Sequence, residues 1–128
     1  MSDNEMLMEV LLQTLDAIKR IIKRFEPVES ASFFTDTTDG MEKLDGICML
    51  LIAVGESLKN IDKITGKTLL PRYPEIDWKG AKGMRDIISH HYFDIDAEEI
   101  FWVCENNLPP LAETMEKIIA DVTSGQNT

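Results

Sequence analysis

Apolar residues recur at three- and four-residue steps along most of the chain, the spacing of helices rather than strands. Leu7, Leu11, Thr14, Ile18, Ile22 and Phe25 form one such stripe, with Glu9, Asp16, Lys19, Arg20 and Lys23 mainly off it. The spacing predicts a first amphipathic helix, ended by Pro27 and a polar run to Asp39. Asp39 followed by Glu42 has the form of a capping box and opens a second helix. Its apolar positions are Leu44, Ile47, Cys48, Leu51, Ile52, Gly55, Leu58 and Ile61, and Thr65-Gly66 stops it. Across Ile47–Val54 this helix has little polar relief, which predicts a central helix or an oligomer interface.

A loop with Pro71 and Pro74 separates it from a third helix, which starts near Asp77 and carries Ala81, Met84, Ile87 and Ile88. Asp96 and Glu99 repeat the capping pattern for a fourth helix, Ala97 to about Glu105. Asn106-Asn107 interrupts it, and Pro109 or Pro110 fits the first turn of a last helix carrying Leu111, Met115, Ile118, Ile119 and Val122. Short connections between such helices predict an all-α, antiparallel four- to five-helix bundle. The whole of 1–128 reads as a single domain, with an ordered core of about 5–122 and a frayed polar tail at 123–128.

Charge changes this picture by its distribution. The net charge of −10 argues against a general nucleic-acid binder, because phosphate contacts need Lys and Arg. Residues 59–85, however, hold seven basic and three acidic side chains, or +4, between blocks of −6 and −8. A local positive patch on an acidic body steers an anion to one place. A solvated lysine surface is the plainer reading of the same pattern. No apolar run approaches a membrane span, so no membrane partner is expected. The acidic N-terminus lacks the basic start of a secretory signal. Cys48 and Cys104 lie in apolar helical patterns as buried free thiols, which points to a reducing, cytoplasmic setting.

The candidate chemistry lies in Met84-Arg85-Asp86-Ile87-Ile88-Ser89-His90-His91-Tyr92-Phe93-Asp94-Ile95-Asp96, which holds the only two histidines. Histidine moves protons near neutral pH, and the guanidinium fork of arginine suits phosphate. Cleavage of RNA by its own 2′-hydroxyl needs a base, an acid and a cation for the pentavalent phosphate. Arg85 and His90 supply the cation and one proton carrier, and two copies supply the full set. Five positions apart on a continuous helix, they point roughly 140° away from each other. Either the helix ends near Ser89 and turns His90 back, or two subunits of a twofold dimer pool their residues. A helix C-terminus disfavours phosphate, so Arg85 has to offset it. Plainer readings exist: His91 packs or caps the helix, and Tyr92 and Phe93 join the core. A metal site of His90, His91, Asp94 and Asp96 is a further alternative. No ligand spacing supports it, and Asp96 serves better as an N-cap. No cofactor is implied.

Arg85, four residues, His90, one residue and Tyr92 give a motif that resembles the HepT-like toxins. These are the HEPN partners of toxin–antitoxin modules with a minimal nucleotidyltransferase antitoxin. Pro74-Glu75-Ile76-Asp77-Trp78, Tyr92-Phe93-Asp94-Ile95-Asp96, Leu108-Pro109-Pro110-Leu111 and Ala53-Val54-Gly55-Glu56 match further family segments in order. The resemblance covers residues 5–122, with 44–112 its specific part. It implies a HEPN-like homodimer, metal-independent RNA cleavage by Arg85 and His90, and transfer of AMP from ATP onto Tyr92 by the antitoxin. Asp86 departs from the Asn often found there, and a carboxylate at that position pairs with Arg85 or weakens phosphate binding. Glu56 is either a surface acid or the residue that holds Arg85 in place; Ser89 and His91 are further supporting candidates. The rival to a nuclease is a non-catalytic helical dimer that binds nucleotide or RNA, or serves as a scaffold for the nucleotidyltransferase. A metal-dependent hydrolase is a third class.

Overall fold

The computed structural model describes residues 2–125, and among them there is no β-strand. Six α-helices follow in order: α1 (Asp3–Phe25), α2 (Phe33–Asp36), α3 (Thr38–Thr65), α4 (Trp78–His90), α5 (Ala97–Trp102) and α6 (Leu108–Thr123). Single 3₁₀ turns lie at Leu70–Arg72 and Tyr92–Asp94. A π-helical turn at Val103–Asn107 joins α5 to α6.

The all-helical class and the main helices agree with the periodicity, and the boundaries differ for local reasons. α1 begins at Asp3, capped by Ser2, whose hydroxyl accepts from the Glu5 N–H. Its buried face is Leu7, Leu11, Thr14, Ile18 and Ile21, so Ile21 takes the deepest place in the last turns and Ile22 lies half-buried. α2 was not foreseen: Phe33 and Phe34 sit in an otherwise polar run, and Phe34 is fully buried near Phe25. That burial supplies what a four-residue helix lacks by itself. α3 is capped by Thr37 rather than Asp39, through a Thr37 hydroxyl that accepts from the Gly40 N–H. It ends at Gly66 in the left-handed region (φ 62°), where glycine carries no steric penalty.

α3 is the central element, packed against α1, α2 and α4. Within Ile47–Val54, Ile47, Cys48, Leu50, Leu51 and Val54 are buried, whereas Met49 and Ala53 are exposed, so the apolar run read from the sequence is core on one side and open on the other. α4 runs antiparallel to α3, since Lys82, Arg85 and Tyr92 meet Asp62, Glu56 and Asp45 in falling order. Asp77 caps α4 by accepting from the Gly80 N–H, and Asp96 caps α5 by accepting from Glu98 and Glu99. Asn106-Asn107 marks the widened turn, and the prolines then occupy the first turn of α6. α6 continues through Thr123, and residues 126–128 of the tail read as frayed lie outside the described residues. No helix among the described residues is long and apolar enough to cross a membrane.

Candidate active site on helix α4

α4 owes its position to one buried edge. Trp78, Met84 and Ile88 face the core, and the Trp78 indole N–H donates to the Tyr73 carbonyl at 2.9 Å. Gly55 on α3 allows the two helices to meet closely. A Cβ there would lie 3.0 Å from the Arg85 Cβ and 3.2 Å from the Lys82 carbonyl oxygen. The close approach sets Arg85 beside Glu56, the next residue of α3.

Arg85 is held from two sides. Its Nε lies 2.6 Å from a Glu56 carboxylate oxygen. The N–H direction misses that oxygen, so the contact is an ion pair and Nε makes no aligned hydrogen bond. Its Nη1 donates to Asp86 at 3.0 Å. Both readings of Glu56 therefore hold together: it is exposed, and it holds the arginine. The Asp86 hydrogen bond, followed by the Glu56 charge, pushes the Arg85 pKa above its ordinary value. Asp86 is shifted the opposite way, below the usual carboxylate range, by the Arg85 hydrogen bond and then by Lys59, 3.7 Å away. Asp86 thus does pair with Arg85, as its carboxylate chemistry allowed. Nη2 of Arg85 has no partner among the described residues and remains free to receive an anion.

α4 is continuous through His90, which removes the first of the two geometric alternatives: no local turn brings His90 back onto Arg85. Within one chain the two side chains point roughly 140° apart. His90 is exposed, and neither imidazole makes a hydrogen bond among the described residues. His91 is the C-cap residue, its backbone N–H bonded to the Ile87 carbonyl. Ser89 is exposed beside them.

Tyr92 and Phe93 are not core aromatics. Tyr92 is 42% exposed and Phe93 fully so, with their rings 5.9 Å apart edge to face. The Tyr92 hydroxyl donates to Asp45 on α3, a residue the sequence reading missed. Asp45 stands one helical turn from the exposed Met41 and Met49, a stripe whose neighbour only the packing of α4 identifies. The Asp45 hydrogen bond, helped by desolvation, pushes the Tyr92 pKa up to about 12. Stability from this contact is present below about 10, the ordinary tyrosine value, and is lost as pH rises through about 12. Asp45→Asn is expected to return Tyr92 ionisation toward about 10. Ultraviolet titration of the protein against its Tyr92→Phe variant reads that midpoint; no movement would show that Asp45 does not hold the phenol.

Among the described residues no three His, Cys, Asp or Glu side chains gather as a metal-binding group. Asp96 is engaged as the α5 cap. Cys48 and Cys104 are free and buried, and burial raises their thiol pKa values to about 11 and about 12.

Comparison with known proteins places the chain in a family. The Ribonuclease HepT-like family matches residues 11–118. A protein of Methanocaldococcus jannaschii named "Putative RNase" is 35% identical over 72 residues, 56% of each chain. Another of that organism, with the same kind of name, is 33% identical over 72 residues, again 56% of each. The "Probable ribonuclease HepT" of Thermococcus cleftensis is 26% identical over 104 residues, 81% of this chain and 91% of that one. The matched segment thus spans just over half the length of the two Methanocaldococcus proteins. No solved structure matches. With a family match that extends from α1 into α6 and so spans the segments that hold Glu56, Arg85, His90 and Tyr92, the chain belongs to the HepT-like ribonuclease family.

Proposed function

We propose that this protein is the RNA-cleaving toxin of a toxin–antitoxin pair, acting as a homodimer whose two α4 ends form one cleft. The observation that carries this reading is an exposed imidazole without a hydrogen-bond partner, on the same helix as a guanidinium held charged by two carboxylates. A single chain separates Arg85 from His90, so a twofold partner has to supply the missing half. Exposed Ile87, Phe93 and Met49 beside the motif give that partner an apolar surface.

In the composite site one His90 takes the proton of the ribose 2′-hydroxyl as that oxygen attacks phosphorus. The second His90 gives a proton to the departing 5′-oxygen. Arg85 holds the phosphate charge through Nη2. The products are a 2′,3′-cyclic phosphate and a 5′-hydroxyl, and no metal enters the step. Cleavage of labelled RNA in EDTA, leaving the cyclic end, is the expected result. Activity lost in EDTA would instead favour a metal-dependent hydrolase. Retention of RNA without any cleavage would favour the non-catalytic binder, for which the Asp86–Arg85 pairing speaks.

Neutralisation follows from Tyr92 when a minimal nucleotidyltransferase partner transfers AMP to it. The phenolic oxygen attacks the α-phosphorus of ATP, a new phosphodiester forms and pyrophosphate leaves. Asp45, which accepts the Tyr92 hydrogen bond, takes the phenolic proton. The added adenylate sets negative charge and bulk beside the cationic site and keeps RNA out. A cytoplasmic setting fits the two buried free thiols.

A further inference from the structure

The lysines of the positive segment are not spread over the surface. Lys59, Lys63, Lys67, Lys79 and Lys82 line one groove of about 530 Å³ between the C-terminal half of α3 and the N-terminal half of α4. A second hollow of about 420 Å³ shares Lys59 and Lys63 and reaches Glu56, the residue that holds Arg85. Two of these lysines have acidic partners: Lys82 meets Asp62 at 2.5 Å, and Lys59 lies 3.7 Å from Asp86. Lys63, Lys67 and Lys79 have no carboxylate within 4 Å among the described residues, although the chain carries 23 acidic side chains. Gathered ammonium groups repel one another unless an anion joins them.

Two backbone features keep the groove in this form. Lys67 sits in the left-handed region (φ 61°), uncommon for a residue with a Cβ, and its N–H donates to the Asp62 carbonyl at 2.8 Å. That bend fixes where the Lys67 side chain leaves the end of α3. Gly83 contributes no side chain to the groove, and a Cβ there would meet nothing within 4 Å, so the floor is open. Along α4, Lys79, Gly83, Asp86 and His90 follow at three- and four-residue steps and share one face. Asp86 is the carboxylate on that face of α4, and Arg85 and Lys59 both offset its charge; Asp62, which also lines the groove, is paired with Lys82, and Glu56 in the adjoining hollow with Arg85.

We propose that this lysine groove binds the phosphate backbone of a single RNA strand and leads it along α4 to His90. The identity of the ligand rests on the nuclease reading; the preference for a polyanion rests on the groove itself. Ammonium groups on a channel floor track phosphates without reading bases, so binding is salt-dependent and tolerant of sequence.

The test is binding of a short labelled single-stranded RNA by the His90→Ala protein, with anisotropy read across a salt series. Adding Lys63→Ala, Lys67→Ala and Lys79→Ala is expected to weaken binding at least ~10-fold and to lower the salt slope by about 2, at about 0.7 per phosphate contact. A charge-matched control, Lys19→Ala with Arg20→Ala and Lys23→Ala on α1, is expected to bind as the parent does. Equal weakening in both sets, or none in the lysine-groove set, overturns the groove. So does an intact RNA affinity with lost capture of the nucleotidyltransferase, which would make the groove a protein-docking surface. The two readings separate in the His90-intact protein. Groove-dependent binding without cleavage sinks the nuclease and keeps the groove, whereas undiminished cleavage by the groove variant does the reverse.

Discussion

On the proposed mechanism, replacing His90 by alanine is expected to lower RNA cleavage by about 10²–10⁴-fold, the range for loss of a positioned proton carrier, with the fold unchanged. The structural half of this expectation comes from exposure. His90 lies at the open end of α4 and makes no hydrogen bond among the described residues, so truncation leaves no buried group stranded. Arg85→Ala is expected to lose a similar amount, about 10²–10³-fold, by removing the cation that faces the phosphate. Arg85→Lys recovers little of it. The guanidinium reaches Glu56 and Asp86 through two nitrogens and leaves a third open, a fork that a single ammonium does not reproduce. Gel assays of purified variants, with circular dichroism and sizing to check folding, measure both. Undiminished cleavage by His90→Ala at full folding removes the catalytic assignment.

A large expected effect on stability lies between the two site residues of this helix. Ile88 is fully buried and, with Met84 and Trp78, forms the edge that seats α4 on the core. Ile88→Ala removes three carbons from a packed interior and opens a cavity, a destabilisation of about 2–5 kcal/mol. The denaturant midpoint of the variant is the reading. Its slope against denaturant should be unchanged, because the unfolded surface is nearly the same. A loss below about 1 kcal/mol would mean that α4 is not anchored by this side chain.

Much of the fold was legible because its signals are local. Asp77, Asp96 and Gly66 did the capping and stopping that their chemistry implies. Thr37 displaced Asp39 as the α3 cap because a hydroxyl one turn earlier already satisfies the Gly40 N–H. α2 escaped because two phenylalanines in a polar stretch give no period, and only tertiary burial makes them a helix. The site divides in the same way. Arg85, His90 and Tyr92 lie in one motif and could be named from sequence spacing; Glu56, 29 positions from Arg85, could be named with its role left open, and Asp45, 47 positions from Tyr92, could not be named. Nothing in the α3 pattern says which polar position meets α4. The Gly55 crossing decides that, by setting the depth at which the helices pack.

Mixing native chain with a dead partner bears most directly on the composite site. The native protein and an Arg85→Ala/His90→Ala double variant are purified separately, combined in rising proportions of the variant, allowed to exchange subunits and assayed on RNA in EDTA. If both imidazoles serve one cleft, a mixed dimer has a single His90 and is nearly inactive, so cleavage falls as the square of the native fraction. A fall in simple proportion to the native fraction, in a mixture that has exchanged subunits, contradicts a shared cleft.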